Sequence, residues 1–331
     1  MIDRARRKLL MGTMAGAALA GAGPLARAQG APAVGSQPFH YYVPFPAGGL
    51  SDIIARLVGE GLRKQFGQPV VVEPKPGAAG TLAVDTLKRA PIDGSTLLAV
   101  NNGFFSVAPF MYKLTWDPMQ DLVPVALTGD AYMAMFVHPA VPANNLKELI
   151  AYAKANPGKL NYGSSGIGNV SHLCGEYLAK RAGIQLTHIP YKGTPAAVQA
   201  TLAKEVDIMF GPEGAEHALT GKMKSISILG PRRWSKLPGV PTTDEQGLPN
   251  WAVRSWHGIV VSAKTPPDVV AKLNQVLSKI IAEPAIVERL QSLGLEPATQ
   301  SLAELNERVR ADRATFGQLI KDLGITGGEP T

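Results

Sequence analysis

The stretch from Val43 to Asp52, VPFPAGGLSD, most constrains how this chain can fold. A pair of glycines follows an apolar segment, and Ser51 is a suitable N-cap for a helix that begins directly after it. Apolar residues then recur at helical spacing from Ile53 to Phe66, and a glycine and a proline end the pattern. The apolar strand Val70-Val71-Val72 follows. This order predicts a βαβ unit with parallel strands.

The turn at Gly48 and Gly49 also indicates a binding function. It aims the unpaired N–H groups of a helix N-terminus into open space, and such groups attract anions. The chain lacks a P-loop and a GxGxxG dinucleotide fingerprint at this turn. Asp52 in the first helical turn would repel a phosphate ester, so a small carboxylate fits better. The alternative is that the glycines only turn the chain and Ser51 only caps the helix.

Residues 1–28 have the pattern of an export signal peptide. A basic segment precedes a run of small apolar residues, and Ala26-Arg27-Ala28 is an A-x-A cleavage site. Arg6-Arg7 resembles the twin-arginine export pattern, and a general secretory signal is the alternative. The apolar run is too short and too rich in alanine and glycine for a stable membrane span. We therefore expect the mature protein in the periplasm.

Charge and cysteine content exclude several other classes of protein. The chain has a formal net charge of +7, of which the predicted signal contributes +4, so the remainder carries only +3. That charge is too small and too dispersed to predict nucleic-acid binding. Cys174 is the single cysteine of the chain, so no internal disulfide is possible. It is predicted to be a small buried hydrophobic residue, and no metal or cofactor is expected.

Strand and helix patterns alternate along most of the chain, which predicts a mostly parallel sheet in each of two lobes. Crossings near Val137 and Trp256 predict lobe 1 from residues 38–137 plus 256–331, and lobe 2 from residues 138–255. The glycine loops of the two lobes would then face each other across a cleft. The sequence thus predicts a hinged ligand trap that functions as a monomer.

The second lobe repeats the glycine loop of the first. The segment from Gly163 to Asn169, GSSGIGN, leads from a strand into a helix, and Thr194-Pro195 opens a further helix. In the first lobe, Gly80 and Asn101 lie after two successive strands. Ligands of open α/β sheets bind outside such strand ends, so these loops are candidate ligand contacts.

Several successive blocks of this sequence resemble the Bug (TctC-like) family. They are PFPAGG with Asp52, QPVVVE with Pro76-Gly77, DG-x-TLL from Asp93, YGSSG-x-G with His172, H-x-PYKG from His188, LPGVPT from Leu237 and SW-x-G from Ser255. The members are extracytoplasmic solute receptors of tripartite tricarboxylate transport systems. The matches cover nearly all of the mature chain in order. One departure is Gly211-Pro212-Glu213, where relatives commonly carry Asp or a small polar residue.

The resemblance implies a type II periplasmic-binding-protein fold, with two α/β lobes, a hinge and a ligand cleft between them. It also implies that loops 47–52 and 164–168 grip a ligand carboxylate partly through ordered waters. The function implied is capture of a small di- or aromatic carboxylate and its delivery to membrane transporter subunits, without catalysis. The predicted ligand-binding residues are Phe45, Ala47, Gly48, Gly49, Ser51, Asp52, Gly80, Asn101, Phe105, Ser164, Ser165, Gly166, Gly168, His172, Lys192, Gly193, Thr194, Gly211 and Trp256.

Three questions stay open at this point. An aromatic ligand would stack on Phe105 and Trp256, whereas an aliphatic dicarboxylate would use Asn101, Ser106 and Thr194 at its far end. An amino-acid ligand would need a carboxylate near its ammonium, for which Asp52 and Glu213 are candidates. The alternative functions are a periplasmic sensor subunit for a membrane kinase and a serine hydrolase built on Ser165, His172 and Asp207. G-x-S-x-G is absent at that serine, because Ile167 occupies the position of the last glycine.

Overall fold

The predicted βαβ unit is present at the start of the described chain. The computed structural model describes Val34 and residues 36–325, so the predicted export signal, residues 1–28, lies outside the described residues. The unit consists of β1 (Phe39–Val43), α1 (Leu50–Phe66) and β2 (Val70–Pro74), and the two strands pair in parallel. Helix α1 begins two residues earlier than predicted. Its N-cap is Gly49, which makes Ser51 the second helical residue rather than the cap.

The rest of the first sheet and its helices follow in chain order. They are α2 (Thr81–Arg89), β3 (Thr96–Asn101), α3 (Gly103–Ser106), α4 (Ala108–Met111), α5 (Pro118–Asp121) and β4 (Leu122–Ala131). The sequence between Gly80 and Pro91 predicts a helix over 81–89, and α2 has these ends. Strand β4 was not predicted, because it is buried on both faces and shows no alternation between apolar and polar residues.

A second sheet is built from the central part of the chain. Its elements are β5 (Ala134–Val137), α6 (Leu146–Ala155), β6 (Asn161–Ser164), α7 (Val170–Ala182), β7 (Thr187–Pro190), α8 (Thr194–Leu202), β8 (Ile208–Phe210), α9 (Ala215–Leu219) and β9 (Lys224–Ile228). The chain then returns through β10 (Ser255–Ser262), α10 (Pro267–Ile281), α11 (Pro284–Ser292), β11 (Leu295–Glu296) and α12 (Leu302–Leu323).

The strand orders are β11-β4-β10-β3-β1-β2 in the first sheet and β7-β6-β8-β5-β9 in the second. Strands β1 to β4 of the first sheet share one direction, and the returning strand β10 runs against its neighbours. In the second sheet the crossing strand β5 is the one that runs against its neighbours. The sheets are therefore largely parallel in strand direction, with an antiparallel strand inserted wherever the chain enters from the other lobe.

The lobe boundary predicted after Val137 is wrong by one strand. Strand β5 pairs with β8 and β9 of the second sheet, although the predicted lobe 1 includes it. The apolar run at 132–137 marks a crossing, but the crossing precedes β5 instead of following it. We call the first sheet with its helices the first lobe, and the second sheet with its helices the second lobe.

Helix α12 belongs to both lobes. Leu305 and Val309 in its first half are buried in the apolar cluster around Trp256 of the first lobe. Phe316 and Ile320 in its second half are buried in the main core of the second lobe. The prediction assigns all of α12 to the first lobe, whereas its second half packs in the core of the second lobe. Within Val34 and residues 36–325, none of the helices combines the length and apolarity that a membrane crossing needs.

Candidate functional site

Two adjoining cavities lie between the loops of the two lobes. The first contains about 660 Å³ of empty space, counting its solvent-open part. Its walls from the first lobe are Phe45, Pro46, Gly49, Leu50, Ser51, Asn101, Ala131, Ser255 and His257. Its remaining walls are Met133, Ser165, Asn169, Val170, Ser171, Gly193, Thr194, Pro195, Phe210, Gly211, Pro212 and Glu213. The second cavity shares six of these residues and extends past Phe104, Tyr112 and Ile167.

The start of α1 forms one wall of the first cavity. Gly48 has a φ of +78°, which a glycine adopts without strain, and the next residue is the N-cap of the helix. Leu50 and Ser51 are the first two helical residues, so their N–H groups have no acceptor within the helix. The Ser51 hydroxyl lies 3.3 Å from Nδ1 of His257 on β10. This wall therefore offers main-chain donors, a hydroxyl and an imidazole.

Asp52 does not face this cavity. Its carboxylate accepts a hydrogen bond from the Gly48 N–H at 3.0 Å and two from the Arg56 guanidinium at 3.0 and 3.1 Å. It is buried, and it holds the glycine turn against the helix that follows. The structure gives this acid a local structural contact in place of the predicted ligand contact.

The start of α7 forms a second wall with the same order of parts. Gly168 has a φ of +71°, Asn169 is the N-cap, and Ser171 is the second helical residue. The Ser171 hydroxyl accepts the Ser165 N–H at 3.0 Å and lies 3.1 Å from the Ser165 hydroxyl. The two serines thus join the loop after β6 to the first turn of α7.

A stacked pair of histidines, His172 buried and His188 half-buried, holds this second loop from behind. His172 Nδ1 accepts the Gly168 N–H at 3.2 Å, and His188 Nε2 lies 2.6 Å from the Ser164 hydroxyl. The two rings stack with centroids 4.1 Å apart. Burial lowers the pKa of each histidine to about 4, so both are neutral at pH 7. His172 and Ser164, both predicted to bind the ligand, are placed behind the loop and off the cavity walls.

The start of α8 forms a third wall. Gly193 is its N-cap with a φ of +96°. Thr194 is the first helical residue and Pro195 the second, whereas the sequence pattern predicts Thr194 as the N-cap and Pro195 as the first helical residue. Glu213, on the loop after β8, lines the same cavity as Thr194. Burial raises the pKa of Glu213 to about 7. Glu213 is the acidic residue among the described residues that line the first cavity.

The polarity of the first cavity comes from neutral donors. Three helices of 17, 13 and 9 residues begin at its walls, and each has a hydroxyl residue in its first turn. Among the described lining residues there is no lysine or arginine. Burial lowers the pKa of His257 to about 4, so its imidazole adds no positive charge at pH 7. An anion here would be held by main-chain N–H groups, hydroxyls and helix dipoles.

The predicted site residues fall into three groups. Those on the first cavity are Phe45, Gly49, Ser51, Asn101, Ser165, Gly193, Thr194 and Gly211. Those on the second cavity alone are Gly80, Gly166, Gly168 and Lys192. Those on neither wall are Ala47, Gly48, Asp52, Phe105, Ser164, His172 and Trp256. The two glycine loops thus come together, but several of their residues support the walls from behind.

The predicted aromatic stacking faces belong to the core. Phe105 and Trp256 are buried and stack on each other with centroids 6.2 Å apart, and the Trp256 indole N–H donates to Asp312 at 2.5 Å. Ser106, the expected partner of an aliphatic ligand, is also buried and donates to the Asn102 carbonyl. The aromatic rings on the first cavity are Phe45 and Phe210.

Sequence reasoning about sites missed His257, Asn169 and Ser171. His257 follows Trp256 on β10, and neighbouring side chains of a strand point to opposite faces. The choice of the tryptophan therefore selected the wrong face of the strand. Ser171 could have been found by aligning the two helix starts, since Gly168-Asn169-Val170-Ser171 repeats the order of Gly48-Gly49-Leu50-Ser51.

The geometry does not form a hydrolase triad. The Ser165 hydroxyl bonds Ser171, and His172 Nδ1 is taken by the Gly168 N–H. Asp207 accepts the Asn161 N–H at 3.1 Å. None of the three proposed triad residues is thus paired with another, as a relay of protons would need.

Comparison with known proteins gives a consistent result. Residues 54–325 match the family model described as tripartite tricarboxylate transporter family receptor. The periplasmic binding protein BugD has a TM-score of 0.82 and 36% identity, covering 88% of this chain and 99% of BugD. An R. palustris protein solved with adipate has a TM-score of 0.85 and 26% identity, covering 88% and 99%. MatC from Rhodopseudomonas palustris, solved with bound malate, has a TM-score of 0.79 and 30% identity, covering 86% and 99%.

Proposed function

The chain belongs to the tripartite tricarboxylate transporter receptor family, and we propose that it captures a small organic carboxylate in the first cavity and delivers it to a membrane transporter of the tripartite type. Its family consists of solute-binding receptors and not of enzymes. The observation that carries the proposal is the convergence of three helix N-termini, those of α1, α7 and α8, on one cavity. A carboxylate placed there would accept hydrogen bonds from unpaired N–H groups of both lobes.

The interaction energies available at the first cavity are sufficient for the micromolar affinity of a receptor. A helix N-terminus stabilises an anion by roughly 0.3–1 kcal/mol, and by up to about 2 kcal/mol when partly buried. Hydrogen bonds to a charged group contribute about 1.5–3 kcal/mol each. Three or four such bonds, less the cost of ordering, reach the roughly 8 kcal/mol of a micromolar complex. Neutral donors also let the ligand leave without breaking a buried ion pair, which suits transfer to a transporter.

The two cavities together support the ligand classes expected from the sequence. The second cavity contains about 1220 Å³ of empty space, counting its solvent-open part, and Phe45, Phe104 and Tyr112 lie on its walls. A carboxylate headgroup in the first cavity could extend an aliphatic or aromatic tail into the second. The related proteins solved with adipate and malate make dicarboxylates the first class to test. Lys192 on the second cavity would meet a distal carboxylate.

The proposed place of action is the periplasm. The relative BugD is a periplasmic binding protein, and residues 1–28 carry the export pattern described above. The proposed partners are a small carboxylate and the membrane subunits of a tripartite transporter. We propose a monomer whose two lobes hold the ligand between them.

Calorimetry on the protein from residue 29 onward tests this function. Mono-, di- and aromatic carboxylates are titrated, with the corresponding amides as uncharged controls. We expect at least one acid to bind with micromolar affinity and its amide to bind at least 100-fold more weakly, because the N–H groups would lose a charged acceptor. Equal affinity for acids and amides, or no binding by any acid, would contradict the proposal.

A further inference from the structure

Glu213 sits in the first cavity without a cation to balance it. The residue lies in the wall formed by the loop after β8, next to Thr194 at the start of α8. No salt bridge involves Glu213 within the described residues, whereas Asp52, the other acid at these loops, is paired with Arg56. Glu213 is half-buried, and an ionised carboxylate partly shielded from water without a counter-ion is destabilised, so a cationic group of a ligand would stabilise it.

The loop that carries Glu213 is held closely to the second sheet. A Cβ added at Gly214 would lie 2.4 Å from the Phe136 ring, and one added at Gly211 would lie 2.4 Å from the Glu213 carboxylate itself. The Gly211 N–H also donates to the Ala134 carbonyl at 3.0 Å. Gly214 is needed for the close approach to Phe136, and Gly211 has a φ of +149°, which favours glycine. The carboxylate is therefore presented on a fixed part of the wall.

Charge balance in the cavity selects between ligand types. The walls hold one acid and, among the described residues, no lysine or arginine. A second carboxylate held within this cavity would add negative charge beside an acid that has no counter-ion. A ligand that has a protonated amine beside its carboxylate would place opposite charges against Glu213 and against the helix N-termini.

We propose that Glu213 is a specificity-determining residue that receives a protonated amine of the ligand, so the preferred ligand is a carboxylate that also carries an amine. This inference rests on the proposed function, because it assigns one group of the same ligand. Glu213 lines the same cavity as the helix N-termini that would hold the ligand carboxylate.

The test uses matched probes that differ only in the amine. Succinate is compared with aspartate and glutarate with glutamate by calorimetry on the protein from residue 29 onward. The wild type should bind at least one amino member of these pairs at least tenfold more tightly than its plain partner. Glu213→Gln, which keeps the size and removes the charge, should lose this preference and bind the plain acids equally or more tightly. Glu216→Gln removes an exposed acid of the neighbouring helix and should change nothing.

A pH series provides a second readout. Glu213 faces Thr194 in the cavity, and His257 is the other titratable residue on its walls, neutral across the range used. Burial raises the pKa of Glu213 to about 7, so the affinity for the amino member should rise up to about tenfold from pH 6 to pH 8. In Glu213→Gln that rise should be absent.

The outcomes separate the two proposals. If the wild type binds plain acids at least as tightly as amino acids, or if Glu213→Gln keeps the preference, the role of Glu213 is overturned while carboxylate capture stands. If no probe and no other carboxylate binds, the proposed function itself fails. Thermal unfolding of the Glu213→Gln protein near the wild-type midpoint shows that a lost preference is not a folding defect.

Discussion

The starts of α1 and α7 have the same backbone geometry, but the side chain that holds the turn differs in chemistry between them. In each, a glycine with positive φ precedes the N-cap, a serine is the second helical residue, and the third helical residue reaches back to the glycine N–H. That third residue is Asp52 in the first lobe and His172 in the second. The first lobe thus anchors its loop with an ion, and the second with a neutral ring.

The difference follows from what surrounds each anchor. Asp52 is balanced by Arg56, whose side chain is 56% exposed, so the charged pair keeps contact with water. His172 is buried and stacks on His188, and its Nε2 lies 3.9 Å from Oε1 of Glu176, whose side chain is 33% exposed. A neutral acceptor costs less there than an unpaired carboxylate would. The comparison shows that the turn geometry, and not the identity of the anchor, is what the cavity requires.

Adding a negative charge at Ser51 or Ser171 should have the largest effect, and it tests whether one carboxylate contacts both helix starts. If one carboxylate contacts both helix starts, Ser51→Asp and Ser171→Asp should each weaken its binding at least 100-fold, about 3 kcal/mol, through repulsion at a shielded site. Calorimetry measures the loss. Ser301→Asp, which adds the same charge at the N-cap of α12, should leave affinity unchanged. A large loss in only one of the two serine variants would assign the ligand to a single lobe.

Acid should weaken the neutral anchor. The folded-state pKa values of His172 and His188 lie below the ordinary value of 6.5, at about 4, so the unfolded chain binds more protons between those limits. Their contribution to stability is complete above pH 6.5 and is lost as the pH falls towards 4, by up to about 3 kcal/mol for the buried His172 and by less for the half-buried His188. Glu213, with its raised pKa, acts in the opposite direction between pH 7 and 4.5. Urea unfolding of the ligand-free protein at several pH values measures the balance.

The variant His172→Gln isolates the contribution of His172 to the pH dependence of stability. Glutamine keeps an acceptor for the Gly168 N–H and does not titrate. We expect it to be less stable than the wild type at pH 7 and to lose less stability on acidification. Parallel pH profiles for the two proteins would show that the stacked histidines do not control the acid response.

Removing the charge from the first anchor should cost less. Asp52→Asn keeps an oxygen for the Gly48 N–H but weakens two charge-assisted bonds from Arg56, and we expect a loss of about 1–2 kcal/mol in unfolding free energy. Because Arg56 is exposed, raising the salt concentration to 1 M should reduce the difference between wild type and variant. The effect of His172→Gln should not respond to salt in this way. Equal salt dependence in both would remove the distinction between charged and neutral anchors.

Local pattern allowed most of the fold to be predicted from sequence. The sequence pattern predicts helices over 81–89, 146–155 and 302–323, and α2, α6 and α12 have these ends, because caps and apolar spacing are encoded within each segment. Strand β4 and the membership of β5 depend on partners far along the chain, which local pattern does not contain. The first lobe boundary was therefore misplaced although the crossing itself was located.

The site was harder to predict, because it depends on side-chain direction. The glycine loops were identified, since a positive φ and a helix start leave a mark in sequence. Whether Trp256 or His257 faces the cavity depends on the register of β10 between β3 and β4. Whether Asp52 faces a ligand depends on Arg56, one turn further along α1. Neither choice can be made from residue type alone.

The smallest expected effect distinguishes the two adjacent glycines of the first turn. Gly48 has a φ of +78°, so Gly48→Ala should lose about 1 kcal/mol through backbone strain, although no atom lies within 4 Å of the added Cβ. Gly49 has a φ of −74°, and its added Cβ meets the Pro46 carbonyl at an ordinary 3.4 Å. Gly49→Ala should therefore change the unfolding free energy by less than about 0.5 kcal/mol. Urea unfolding of the two variants decides whether the conformation at position 48, rather than the presence of two glycines, is what the turn requires.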